Sequence, residues 1–250
     1  MRINTNVGAL TASRNVFLNN MATEKSMGKL SSGLRISRAA DDAAGLAIAN
    51  TLRTQGRSLS QAAANAEQGS AMLQIAESAA STVQRIVERQ KELVIQRANG
   101  TSDSGTSTII SAELTALDTE KTRIVGQAKF QGTSVFGSLS FQVSDATSTV
   151  SASLSFTPAA VTDIATADSA LTAVNTILAD VGRATNVLDY TTQNLKAAVV
   201  NVRAAESTIR DVDMAEEMAT FTKNNILTQA AQAMLSQANQ GSQSVLQLLR

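Results

Sequence analysis

The chain has 250 residues, 21 basic against 21 acidic side chains, 43% hydrophobic but only 3% aromatic residues, and neither cysteine nor histidine. Balanced charge without a basic block leaves no footprint for nucleic acid. The missing thiols and imidazoles remove disulfides, thiolate metal sites and the usual general base, so no catalytic, cofactor or metal site is expected.

Pro158 is the only proline, and because proline costs about 3 kcal/mol in a helix interior, its scarcity among small residues favours long, closely packed helices. The start, Met1 to Asn6, lacks the basic and apolar regions of a cleavable signal peptide. No run reaches the roughly 18 apolar residues of a membrane span, so neither membrane nor nucleic acid is an expected partner.

Taken in chain order, residues 3 to 33 carry an a/d-like series, Ile3, Val7, Leu10, Phe17 and Met21, with Arg14 in the gap. They read as a moderately amphipathic helix. Gly33 and the stretch 37 to 44 interrupt it, and Asp41 or Asp42 can cap the next helix through its carboxylate. From Ile48 a seam runs through Leu52, Leu59, Ala62, Ala66, Gly69, Leu73, Ala76, Ala80, Val83, Val87 and Val94, with Gln55 and Gln90 in the gaps. Steps alternating between three and four over this length signal a coiled coil. The polar run Asn99 to Gly105 breaks that helix, and a further one, about 108 to 128, carries Ile110, Leu114, Leu117, Lys121 and Ile124.

The period then changes. Leu139, Phe141 and Val143 alternate with serine and glutamine, and after a polar turn near Asp145 so do Val150, Ala152, Leu154 and Phe156. This predicts a β-hairpin closed by Pro158, the only strand-like part of the chain. A strict heptad resumes from Leu171 through Val174, Leu178, Val181, Thr185, Leu188, Thr192, Leu195, Val199, Val202 and Glu206 to Ile209. A last helix, 212 to 249, has the seam Leu227, Ala231, Met234, Ala238, Gly241, Val245 and Leu248. Residues 1 to 38 are mostly basic where charged, and 211 to 217 are acidic, so the two ends attract one another weakly.

The motifs in this order resemble bacterial flagellin. The resemblance rests on Ile3-Asn4-Thr5-Asn6, on Leu30-Ser31-Ser32-Gly33-Leu34-Arg35-Ile36, and on Asp41-Asp42-Ala43-Ala44-Gly45-Leu46-Ala47-Ile48-Ala49. It continues in Gln96-Arg97-Ala98-Asn99-Gly100-Thr101, Gly126-Gln127-Ala128-Lys129-Phe130-Gln131-Gly132, Gln237-Ala238-Asn239-Gln240 and the leucine-rich end Ser244 to Arg250. It covers roughly 1 to 140 and 165 to 250.

The resemblance implies a mainly α protein, a long antiparallel coiled-coil or helical-bundle rod with a small β-hairpin region. Residues 1–40 and 210–250 would be the helices of a filament-core domain. Residues 41–132 and 166–209 would form the rod, and 133–165 a short variable outer region. The implied function is a structural subunit that polymerises with itself into the flagellar filament, secreted for swimming motility. Export unfolded by the flagellar type III apparatus would involve an export chaperone, and assembly would involve the cap and hook-associated proteins. The absence of cysteine suits passage through an export channel.

Two inner helices of matching length read as an intramolecular core. The terminal seams bury too little alone, because each leucine or valine yields roughly 1.5 to 3 kcal/mol against an ordering cost near 1 to 2 kcal/mol per residue. Ile3, Val7, Leu10, Phe17, Met21, Leu227, Ala231, Met234, Ala238, Val245, Leu248 and Leu249 are therefore the expected subunit interface. By resemblance, Arg89, Leu93 and Glu113 match a surface recognised by the vertebrate flagellin-sensing toll-like receptor; an axial filament contact accounts for them equally well. The hook–filament junction protein shares the terminal helices, and a membrane-active type III translocator is a more distant alternative. Outer serines and threonines are candidate glycosylation sites.

Overall fold

The helix ends follow from local chemistry. In the computed structural model, which describes residues 5–99, 103–144 and 148–248 without the side chains of Ser242 and 244–248, Asn6 accepts the Ala9 N–H through its side chain at 3.0 Å and so caps α1 (Val7–Ser32). Gly33, at φ 70°, turns the chain out of this helix while its N–H returns to the Lys29 carbonyl. α2 (Ala43–Ala98) opens with the Gly45 N–H on Asp42 Oδ1 at 2.9 Å, so of the two expected capping aspartates it is Asp42 that holds the helix start. α3 (Ser104–Gln127) is capped by Asp103.

Four short strands follow. β3 (Ser138–Gln142) and β4 (Thr149–Ser153) pair antiparallel with Leu139 opposite Ala152 and Phe141 opposite Val150. Leu139, Val143, Ala152 and Leu154 are buried, while Ser138, Ser140, Ser151 and Ser153 face water, the alternation expected of a half-buried hairpin. The expectation that this is the only strand-like segment needs correction. β1 (Lys129–Phe130) and β2 (Thr133–Ser134) form a smaller hairpin before it, turned by Gln131 and Gly132, both with positive φ. Two-residue strands are too short to leave a period in the sequence. α4 (Ile164–Arg210) and α5 (Met214–Leu248) complete the chain.

The chain divides into a terminal unit, residues 1–54 and 202–250, and an inner unit, residues 55–201. Within the inner unit, ion pairs Lys196–Glu67 at 2.7 Å and Lys91–Asp168 at 2.6 Å run α2 and α4 antiparallel. Its core joins Ala66, Leu73, Ala76 and Ala80 of α2 to Ile177, Val181, Leu188 and Leu195 of α4 and to Leu139 and Leu154. From Ala62 onward, nearly every seam position predicted on α2 is buried. Ile48, the first of that series, is exposed instead. Gly69 shows how tightly the hairpin sits, since a Cβ there would lie 2.9 Å from the Phe141 ring.

Polar side chains also hold the inner unit together. Gln90 and Lys121, both almost fully buried, meet Asp118 between α2 and α3. Lys121 Nζ donates to Asp118 Oδ1 and to the Ala159 carbonyl, each at 2.7 Å, and more weakly to Gln90. Asp118 Oδ2 accepts the Val161 N–H. One buried ammonium thus ties the segment leading into α4 to both neighbouring helices, with its charge opposed and its donors used, as burial requires.

Candidate functional site

The terminal unit is where folding leaves something undone. α1 and α5 pack along their lengths, antiparallel, with Asn6 Nδ2 donating to the Ala238 carbonyl at 2.9 Å near one end and Lys29 reaching Glu217 at 3.4 Å near the other. The side chains that lose exposure on α1 are Ala9, Ala12, Val16, Asn19, Ala22 and Thr23, with Ser26 fully buried; on α5 they are Glu217, Phe221, Asn224, Thr228, Ala231, Leu235 and Ala238. Both sets advance by three and four residues, so each is one helix face. This intramolecular seam is built largely of alanine, asparagine, serine and threonine.

Large apolar side chains lie elsewhere. Val7, Leu10, Phe17 and Met21, all expected at the interface, are exposed, with Leu10 at 70% and Phe17 at 63%. At about 100° per residue they fall, with Leu18 and Arg14, on the face of α1 opposite the seam. On α5, Leu227 and Met234 are exposed on one flank of the seam, and Ile226 points away from it. Ala231 and Ala238, also expected at the interface, belong to the seam between the two helices, half-buried by α1. Ile3 and Leu249 lie outside the described residues, as do the side chains of Val245 and Leu248.

The seam on α5 is therefore displaced from the series read in the sequence. Large apolar residues drew that series through Leu227 and Met234, whereas Phe221, Asn224, Thr228 and Leu235 make the contact. A search for small residues at heptad spacing would have found it, because alanine and serine let helix axes approach closely. A contact of this kind buries few methylenes. The apolar stripe on α1 and the patch of Met218, Ala219, Ile226 and Leu227 on α5 remain in water, at roughly 1.5 to 3 kcal/mol for each large side chain left unburied.

The joints of the terminal unit are polar and well satisfied. The Arg35 N–H donates to the Arg210 carbonyl at 2.7 Å and the Val212 N–H to the Gly33 carbonyl at 3.1 Å, so Leu34 and Asp211 form a one-residue antiparallel bridge. Asp41 takes an ion pair from Lys25 at 3.0 Å and the Arg38 N–H. The Lys25 ammonium, helped by that backbone donor, holds the Asp41 carboxyl below the ordinary carboxylate value.

The Arg89, Leu93, Glu113 group divides. Arg89 is exposed and bonded to Glu92 and Glu113, at 3.0 and 3.3 Å, and these carboxylates raise its pKa. Leu93 is buried against Ile110, Leu114 and Val161, so the surface here is Arg89 and Glu113 over a concealed leucine. A nearby groove is lined by Arg97, Asp118, Arg123 and several hydroxyls. Its charged groups are spent: Arg97 on Ser111 and the Thr162 carbonyl, Arg123 on Glu120 and Gln127, Asp118 on Lys121. Among the described residues no three metal-ligating side chains converge, and no helix is long and apolar enough to cross a membrane.

Comparison with known proteins gives matches over both ends of the chain. The description "Bacterial flagellin N-terminal helical region" matches residues 3–140, and "Bacterial flagellin C-terminal helical region" matches 164–249. Relatives that align over the whole of both chains include a flagellin of Halalkalibacterium halodurans, 41% identical over 272 residues, and a flagellin of Bacillus subtilis, 38% identical over 304. A "Flagellar filament 33 kDa core protein" of Treponema phagedenis is likewise 38% identical over 287 residues, again with full coverage of both.

Proposed function

Because the chain belongs to the bacterial flagellin family, whose members are structural filament proteins, we propose that it polymerises by burying the outward stripe Val7, Leu10, Phe17, Met21 of α1 and the flank Leu227, Met234 of α5 against other copies of itself. Ile3, Val245, Leu248 and Leu249 join this proposed surface from their spacing in the sequence alone. The observation that carries this reading is the inversion in the terminal unit: mostly small residues fill the contact between α1 and α5 while, among the described residues, twelve large apolar side chains stay exposed. A stripe this long on one helix face is what a coiled-coil or bundle neighbour covers.

The finer reading follows the family. The subunit is exported by the flagellar type III apparatus with the help of a chaperone, adds beneath a cap beyond the hook-associated proteins, and serves swimming as part of an extracellular filament. Arg89 and Glu113 are the exposed residues of the group that a flagellin-sensing toll-like receptor would meet. Electron microscopy of the purified protein, after seeding with short filament fragments, tests the core of this. Filaments should grow from the parent and fail to grow from Phe17→Asp. No filaments from the parent, or equal growth from Phe17→Asp, would overturn the reading.

A further inference from the structure

Resting on that assembly reading, we propose that Met21, Met27, Met214, Met218 and Met234 form a methionine oxidation site through which peroxide or hypochlorous acid disables the free subunit but spares the assembled one. Composition makes methionine the principal target. With no cysteine, tryptophan or histidine in 250 residues, the thioether is the readily oxidised side chain that remains. The seven methionines are also unevenly placed. These five lie on α1 and α5, each 48 to 64% exposed, whereas Met72 is 7% exposed within the inner core; Met1 lies outside the described residues.

The reaction needs only the oxidant. The sulfur lone pair attacks one oxygen of hydrogen peroxide, the O–O bond breaks as an S–O bond forms, and a proton transfer releases water. Sulfur loses two electrons and the peroxide gains them. The product is a polar, chiral sulfoxide on a side chain that was flexible and apolar. Met21 continues the stripe of Val7, Leu10 and Phe17, Met218 borders Ile226 and Leu227, and Met234 lies two helical turns beyond Leu227. A sulfoxide at Met21 or Met234 therefore puts a strong hydrogen-bond acceptor where, on the assembly reading, a neighbouring copy must exclude water. Burial in the filament would shield the same sulfurs, so the chemistry separates unassembled from assembled subunits.

The test treats free subunit and preformed filament with the same limiting dose of hydrogen peroxide, maps sulfoxides by peptide mass, and measures elongation on parent seeds by light scattering. Free subunit should carry sulfoxide at the five positions with Met72 intact, and should elongate at least about tenfold more slowly. Methionine sulfoxide reductases of both epimer specificities should restore the rate. A variant with leucine at all five positions should elongate before and after peroxide alike. Sulfoxide-bearing subunit that elongates at the untreated rate overturns the proposal, as does filament oxidised at Met21 and Met234 as fast as free subunit. Untreated protein that cannot elongate overturns the assembly reading, and this proposal with it.

Discussion

The inner and terminal units both use antiparallel helices but differ in where their large apolar side chains go. Between α2 and α4, Leu73 and the alanines Ala66, Ala76 and Ala80 pack with Ile177, Val181, Leu188 and Leu195, so the bulky residues are buried. Between α1 and α5 the seam is mainly alanine, asparagine, serine and threonine, and the leucine, phenylalanine and methionine side chains face water. Among the described residues, only Ile36 and Ala49 of the buried apolar side chains belong to the terminal unit. The inner unit thus completes its core within one chain, while the terminal unit makes a contact sufficient to pair two helices and leaves its large apolar side chains in water. Amphipathic periodicity alone cannot tell these cases apart, because both show a heptad.

The sharpest way to break this contrast is Met234→Asp. An unpaired buried charge costs several kcal/mol, and every copy in a filament would repeat the defect. Filament growth at neutral pH should be lost and should return only near pH 4, where the carboxylate is neutralised. Far-ultraviolet circular dichroism of the free subunit should stay at the parent value, since this side chain is 64% exposed. Normal neutral-pH filaments would show that this face of α5 is not buried on assembly.

Next in size is a matched pair of leucines. Leu73→Ala, in the inner core, should cost about 2 to 5 kcal/mol by denaturant unfolding. Leu10→Ala, on the outward stripe of α1, should cost less than about 0.5 kcal/mol while weakening polymerisation. Equal losses of stability would mean that α1 also buries its outer face within the chain.

A smaller effect is expected from the buried polar cluster. Lys121→Met strands Asp118, Gln90 and the Ala159 carbonyl without their common donor, and should cost about 3 kcal/mol. Combining it with Asp118→Leu and Gln90→Leu should recover part of that loss, because apolar side chains replace the three polar ones while the Ala159 carbonyl and the Val161 N–H still lack their partners. Failure to recover would assign the cluster a role in packing geometry beyond mutual satisfaction.

The smallest is at Asp41. Its folded carboxyl titrates below the ordinary value, so the stabilisation from Lys25 is fully present above the ordinary carboxylate range and is lost as pH falls through the lowered folded value. Asp41→Asn should accelerate amide exchange over residues 34 to 46 at neutral pH, and the difference from the parent should fade only as pH drops through the lowered folded value. An equal acceleration above and below that value would remove the ion pair from the explanation.

Much of this was legible in the sequence where bulk and period coincide. The buried run from Ala62 to Val94, the hairpin alternation and the outward residues Val7, Leu10 and Phe17 all came from spacing of large apolar side chains. The α1–α5 seam did not, because most of its members are alanine, asparagine, serine and threonine, with Val16, Phe221 and Leu235 too widely spaced to mark the face. Gln90 reads as a gap in its seam and Lys121 as a charged member of another; only tertiary structure brings Asp118 and the Ala159 carbonyl close enough to hold a buried ammonium. The Lys129–Ser134 hairpin escaped for a third reason, being shorter than one period. Leu93, grouped with Arg89 by resemblance, shows the reverse limit, since matching a motif position does not fix which way a side chain points.

The bridge between Leu34 and Asp211 has a consequence for timing. The Arg35 guanidinium bonds the Ile209 carbonyl 174 positions away, and Asn6 bonds Ala238 across 232. Closing so long a loop in an unstructured chain costs about 4 to 5 kcal/mol of chain entropy, more than a seam of alanine and serine returns at the first contact. Once α2 and α4 have paired, the same ends are connected through a far shorter flexible path and the entropic barrier largely disappears. The terminal helices are therefore the last to meet as the chain folds and the first to part when it opens, so the inner core is finished while the two ends are still apart.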